Sequence, residues 1–192
     1  MAIATRDRII ETADILFYQQ GFEATSFADI ALAVGISRGN FYHHFKTKDD
    51  ILDGVINHRL ANTEQMLDRW EIEGDDPADR IRSFIHILIV NGEKIRKFGC
   101  PVGTLSSELA KLNHAAQSDA ASLFTLFRSW LSRQFERLGF AGRSDFLAMH
   151  ILGRSQGVAT LANAFNDGAF LRREVELMCL WLDEQIAAVG KY

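Results

Sequence analysis

Apolar residues recur three and four positions apart along nearly the whole chain, the spacing of one face of an α-helix. In "TRDRIIETADILFYQQGF" the face holds Ile9, Ile10, Ala13, Leu16 and Phe17, and Gly21 suits the helix end. "SFADIALAVG" repeats the pattern with Phe27, Ile30, Ala31 and Val34. Ser26 is a good N-cap and Asp29 stands at N3, a capping box with Asp in place of the usual Glu or Gln. Gly35 stops this second helix, and Ser37 caps a third, running from Arg38 to about Phe45 with Phe41 and Phe45 turned inward. Thr47 begins a fourth, with Asp49 and Asp50 in a first turn whose dipole favours acid. Leu52, Ile56, Leu60 and Leu67 carry it to about Trp70.

"EGDDPAD" is the clearest break: Asp76 caps, Pro77 fits N1 and Asp79 lies at N3. The run "FIHILIV" has the periodicity of a buried strand as much as of a helix, but no second strand exists to pair with it. It is read as a helix. "CPVGTLSSELAKL", "DAASLFTLFRSWLSRQFERL", "RSDFLAMHILGRSQGVATLANAF" and "LRREVELMCLWLDEQIAAV" complete an all-α chain of about nine helices, three short ones first.

Composition narrows the function. A hydrophobic fraction of 47% and 14 Phe give ample core, and a net charge of −4 excludes a uniformly basic nucleic-acid coat. A nucleic-acid role therefore requires locally concentrated basic residues. Cys100 and Cys179 make no disulfide framework. The N-terminus lacks a signal-peptide run, and no apolar stretch reaches the roughly 18–20 residues of a membrane span. The expectation is a soluble cytoplasmic protein without membrane association. No nucleophile-and-base arrangement, phosphate-cradling glycine loop or metal-ligand spacing stands out, so neither an enzyme, a cofactor nor a metal is expected.

The local basic concentration lies in "VGISRGNFYHHFKTK". From residue 34 to 48 there are three basic residues and no acidic ones. Two short helices joined by a tight glycine-containing turn form a helix-turn-helix, whose second helix enters the DNA major groove. Gly39 lets backbone approach DNA, and Arg38 and Asn40 are the types that hydrogen-bond guanine and adenine edges. Tyr42, His43 and His44 are placed to donate to phosphates, with Lys46 and Lys48 adding charge. Phe41 and Phe45 are core. Packing alone is the bland reading of such an aromatic-and-histidine cluster. Metal binding is disfavoured because adjacent histidines point about 100° apart on a helix.

The segment "ETADILFYQQGFEATSFADIALAVGISRGNFYHHFKTKDDIL" resembles the DNA-binding domain of the TetR family of bacterial transcriptional regulators, through the spacing "GF…TS…IA…GIS.GN.Y.HF..K" over residues 6 to about 55. The resemblance implies an all-helical homodimer with a variable ligand-binding domain, releasing a palindromic operator when a small-molecule inducer binds. It implies a helix-turn-helix domain at residues 1–48 and a ligand-binding and dimerisation domain at 49–192. The family's DNA-contact positions fall on Ser26, Phe27, Ser37, Arg38, Gly39, Asn40, Tyr42, His43 and Lys48; Phe27 departs from the small polar residue often found there.

In the second part, Pro101 suits N1 of a helix, which makes Cys100 its N-cap, downstream of Lys94, Arg96 and Lys97. A thiol there is open to a lowered pKa and to reaction with electrophiles. The "GC" segment resembles that of family members that sense electrophiles or small unsaturated acids. A cap that merely packs is the bland alternative, and the favoured reading for Cys179. Phe84, Phe98, Phe124, Phe127, Trp130 and Phe165 are, with Cys100, candidates to line a ligand cavity. His86 and His150 sit in apolar runs and read as core histidines before ligand-orienting ones. The last two helices carry Gly153, Ser155, Gly157, Ala159 and Ala162, which suits the four-helix dimer interface that the family implies. Val175, Met178, Leu182 and Ile186 are the stripe expected to meet the second copy. The leading reading is a ligand-released repressor. A covalent sensor at Cys100 and, further off, a general DNA-coating protein are the alternatives.

Overall fold

The computed structural model describes residues 4–189, with the side chains of Arg38 and Val189 outside that description. Among the described residues every regular element is helical: α1 (Thr5–Gln20), α2 (Phe27–Val34), α3 (Arg38–His44), α4 (Lys48–Glu73), α5 (Pro77–Val90), α6 (Gly92–Phe98), α7 (Pro101–Lys111), α8 (Gln117–Arg137), α9 (Ser144–Ala164) and α10 (Gly168–Val189). The all-α expectation holds. The run after Pro77 is broken at the single residue Asn91 into α5 and α6, which makes ten helices among the described residues beside the expected count of about nine. No described helix is long and apolar enough to cross a membrane.

The starts follow the local chemistry. Ser26 Oγ accepts from the Asp29 amide at 3.2 Å, and the Asp29 carboxylate accepts from the Ser26 amide at 2.8 Å, closing the capping box. Thr47 Oγ accepts from the Asp50 amide at 3.0 Å, while the Asp50 carboxylate accepts from the Thr47 and Lys46 amides. Asp76 caps α5 through the Asp79 amide, with Pro77 at the first position. Gly35, at φ 75°, ends α2 in the left-handed conformation that glycine tolerates best.

The chain forms two compact units. The first reaches to Thr63 and also takes in Pro101–Leu123; the second holds Glu64–Cys100 and the chain from Phe124 onward. The first unit is thus wider than the 1–48 segment named from sequence: it includes the start of α4 and, from far along the chain, α7. Leu105 and Leu109, one turn apart on α7, are buried with Ile9, Phe17, Phe41 and Leu52 in its core. Glu108 on the same helix accepts from the Phe22 and Glu23 amides, each at 2.9 Å. Arg59 of α4, itself buried, pairs with Asp14 at 2.6 Å and donates to the Pro101 carbonyl at 2.6 Å. α7 is therefore a structural member of the helix-turn-helix unit.

In the second unit α10 packs on α5 and α9, and α6 packs on α9. Its core includes Ile81, Phe84, Ile85, Trp130, Phe135, Ile151, Val175, Met178 and Leu182. This corrects the expected dimer stripe. Met178 and Leu182 have no exposed surface, because α10 uses its most apolar face inside its own chain. His86 and His150 are also corrected: both are exposed, His86 bonded to the Arg82 carbonyl and His150 stacked on Trp181. Their apolar neighbours in sequence lie on the other faces of their helices.

Candidate nucleic-acid interface

α3 has seven residues, and two of its surroundings fix it. Phe41 and the following Phe45 are buried in the core of the first unit. Ser37 caps its start, accepting from the Asn40 amide at 3.3 Å. The turn before it is held from α1, where Arg8 donates to the Val34 carbonyl at 3.0 Å. With Phe41 inward and about 100° per residue, Gly39 and His43 fall on the outward side, with Asn40 and Tyr42 on opposite flanks. Burial agrees: Gly39, Asn40, Tyr42 and His43 are exposed and His44 is half-buried. A Cβ added at Gly39 would meet nothing within 4 Å, so the outward backbone of α3 is bare there. Arg38 begins the helix; its side chain lies outside the described residues. The His43 and His44 rings meet edge to face, with centroids 5.5 Å apart and an interplanar angle of 81°.

The remaining sequence candidates divide. The Lys46 ammonium donates to the Tyr42 carbonyl at 2.6 Å, beside the C-terminal end of α3. Lys48 is tied down: its ammonium donates to the Phe22 and Glu23 carbonyls at 3.0 and 3.3 Å and sits 4.3 Å from the Phe22 ring centre. A phosphate contact by Lys48 would have to share the ammonium with these carbonyls. The Ser26 hydroxyl donates to Asp29 at 2.6 Å. Hydrogen bonds from the Ser26 hydroxyl and amide hold the exposed Asp29 carboxyl below the usual aspartate value. The Thr47 and Lys46 amides and the Thr47 hydroxyl do the same for Asp50. Phe27 is half-buried, edge-on to Phe41 and stacked on Tyr42. Sequence reasoning missed Arg8, Glu108 and Arg59. Nothing local marks them, since each partner lies 26 or more residues away in the chain.

Of the ligand candidates, Phe84, Phe127 and Trp130 are buried in the second core, and Phe124 and Cys100 pack against it. The Phe84 and Phe127 rings lie 5.5 Å apart, and Trp130 lies 5.7 Å from Trp70. The buried Trp130 indole N–H has no hydrogen-bond acceptor among the described residues. Phe98 is half-buried at the end of α6. Phe165 does not join them: it follows the last turn of α9 with 74% of its surface exposed. As expected, Cys100 immediately precedes a helix opened by Pro101. Burial pushes the Cys179 thiol above its ordinary value, against the nearby Arg82 charge.

The comparisons with known proteins agree with this geometry. Residues 9–55 match the family model described as bacterial regulatory proteins, tetR family. The chain is 28% identical to the HTH-type transcriptional regulator YxaF of Bacillus subtilis over 71% of this chain and 73% of that one. It is 23% identical to the HTH-type transcriptional repressor DhaR of a Mycobacterium species over 96% of this chain and 89% of that one. A TetR transcriptional regulator from Legionella pneumophila superimposes with a TM-score of 0.83 at 27% identity, covering 96% of this chain and 99% of its own. With a capped, outward-facing α3 on a buried aromatic footing, residues 9–55 form a DNA-binding domain of the tetR family of bacterial regulatory proteins, and the chain is a DNA-binding transcriptional regulator.

Proposed function

We propose that this regulator is a homodimeric repressor that holds a palindromic operator through α3 and leaves it when a small molecule occupies the second unit. The observation that carries the reading is the outward face of α3: bare at Gly39, polar at Asn40 and His43, and fixed from behind by Phe41 and Phe45. Asn40 suits an adenine edge. Ser37, Arg38, Tyr42, His43, His44 and Lys46 supply phosphate or base contacts around it. The division of labour follows the sequence reading, with DNA binding at the N-terminal end and ligand binding and dimerisation beyond it, in the bacterial cytoplasm where the operator is.

The dimer reading rests on a second apolar face of the last two helices. Met149 and Leu161 on α9 are exposed, as are Leu177 and Leu180 on α10. Between the first two, a Cβ added at Gly153 or Gly157 would meet nothing within 4 Å. A bare helix surface with apolar flanks lets another helix approach closely, and an exposed apolar stripe of this kind marks an interface. For the inducer, the aromatic core around Phe84, Phe124, Phe127 and Trp130 favours a largely apolar molecule. An acceptor atom on it would satisfy the Trp130 N–H. Cys100 packs against that core, and a noncovalent inducer is favoured over its covalent modification.

The test is release. DNA upstream of the protein's own gene, fluorescently labelled, is bound by the full chain and challenged with a library of small aromatic and aliphatic molecules. The reading expects at least one class to dissociate the complex, and Trp130→Phe to raise the concentration needed. A complex that no compound class weakens would contradict ligand-released repression.

A further inference from the structure

We infer that the stacked Phe27–Tyr42 pair reads the methyl group of a thymine in each operator half-site. The inference rests on the proposed docking of α3 and adds a specificity element to it.

The two rings lie 5.6 Å apart with an interplanar angle of 28°. Phe27 is also edge-on to the buried Phe41 at 5.2 Å, so the stack is anchored in the core. Tyr42 leaves 48% of its surface open. The pair borders a groove of about 360 Å³ whose other walls are Ser26, Ala28, Ala31 and Phe41. Apart from the hydroxyl of Ser26, which donates to Asp29, and that of Tyr42, these side chains are apolar. The groove lies between α2 and α3, contiguous with the exposed flank of the helix assigned to the major groove.

The start of α2 is where a helix would ordinarily attract phosphate. Here that role is weakened twice. The Asp29 carboxylate stands at the helix start and accepts from the Ser26 amide at 2.8 Å, so its negative charge opposes a phosphate. The first helical position carries an aromatic ring, Phe27, which offers a phosphate no hydrogen-bond donor. The DNA partner of an apolar ledge must itself be apolar. Base edges in the major groove offer one such group, the thymine C5-methyl, and Phe is among the side chains that contact it. Because Tyr42 shares α3 with Asn40 and His43, the thymine belongs to the half-site that α3 reads.

The test uses operators enriched from a random DNA pool by the full-length protein. Each thymine of the enriched half-site is replaced in turn by deoxyuridine, which removes only the methyl. One position per half-site is expected to weaken binding about fourfold, the worth of one methyl-sized group taken out of water. Tyr42→Ala, which removes a surface ring and leaves Phe41 in place, is expected to bind the thymine and deoxyuridine operators equally. Phe27→Ala should do the same, and Tyr42→Ala keeps the test valid should that variant unfold. A half-site without thymine, uniform indifference to deoxyuridine, or a Tyr42→Ala protein that keeps the fourfold ratio would overturn the assignment alone. Failure to enrich any sequence would overturn the docking of α3, and this assignment with it.

Discussion

Removing Glu108 should loosen the DNA-binding unit although the residue lies on α7, 85 and 86 positions from the amides it binds. Its carboxylate accepts from the Phe22 and Glu23 amides at the turn between α1 and α2. A hydrogen bond to a charged group nets about 1.5–3 kcal/mol where the donor is sheltered, and less where water can replace the acceptor. The Phe22 amide is partly buried and the Glu23 amide exposed, so the larger value belongs to the first. Glu108→Ala is therefore expected to cost about 2–4 kcal/mol in total. That is a large part of the roughly 5–15 kcal/mol of a typical domain. Glu108→Gln keeps an acceptor oxygen without the charge, and should cost about half as much. An independent probe of the same contact is Gly21→Ala. The added Cβ would lie 3.0 Å from a Glu108 oxygen, on a backbone at φ 95° that side chains rarely adopt. Urea unfolding of the full chain, followed by far-UV circular dichroism, measures the cost. Operator affinity should fall in the same order, since the turn sets the entry of α2. A Glu108→Ala protein within 0.5 kcal/mol of wild type would refute the view that α7 holds the helix-turn-helix unit together.

Leu180→Glu should convert dimer to monomer in sedimentation velocity and weaken operator binding at least tenfold, whereas a protein that stays dimeric would remove α10 from the interface. Acid should act through the helix caps: the Asp29 and Asp50 carboxyls are held below the ordinary value of 3.8 when folded, so their stabilisation is complete above that value and is lost as pH falls through their depressed folded values. Melting temperature should accordingly hold steady from neutral pH down to about 5 and fall below about 4, and the fall should be smaller in Asp29→Asn with Asp50→Asn; an equal fall in that double variant would assign acid loss to other carboxylates. At neutral pH Cys179 should alkylate more slowly than a free thiol, because burial raises its pKa; mass spectrometry showing it modified at the rate of glutathione would contradict its placement.

What the sequence revealed was local. Ser26 with Asp29, Ser37, Thr47 with Asp50, and Asp76 with Pro77 each act within one helical turn, and all four caps are found as read. The inward phenylalanines of α3 followed from i, i+4 spacing. What escaped was everything that depends on which helix packs where. The spacing of α10 identifies an apolar stripe containing Met178 and Leu182, but spacing does not say whether the stripe meets α5 and α9 or a second copy. Leu177, just before Met178, and Leu180, between Met178 and Leu182, are the exposed ones. Phe165 has the composition of a cavity residue and the position of a helix terminus. Lys48 has the charge of a phosphate ligand, yet two backbone carbonyls from 25 and 26 residues earlier hold it.

The most direct test of DNA reading by α3 is footprinting of the enriched operator at single-nucleotide resolution, with wild type beside Asn40→Ala. Two α3 helices related by a twofold axis require an inverted repeat with half-site centres about 34–36 Å apart. Wild type should protect such a repeat. Asn40→Ala should lose preference at one base pair in each half while still covering the same phosphates. Protection without an inverted repeat, or an Asn40→Ala footprint with unchanged base preference, would contradict recognition through α3.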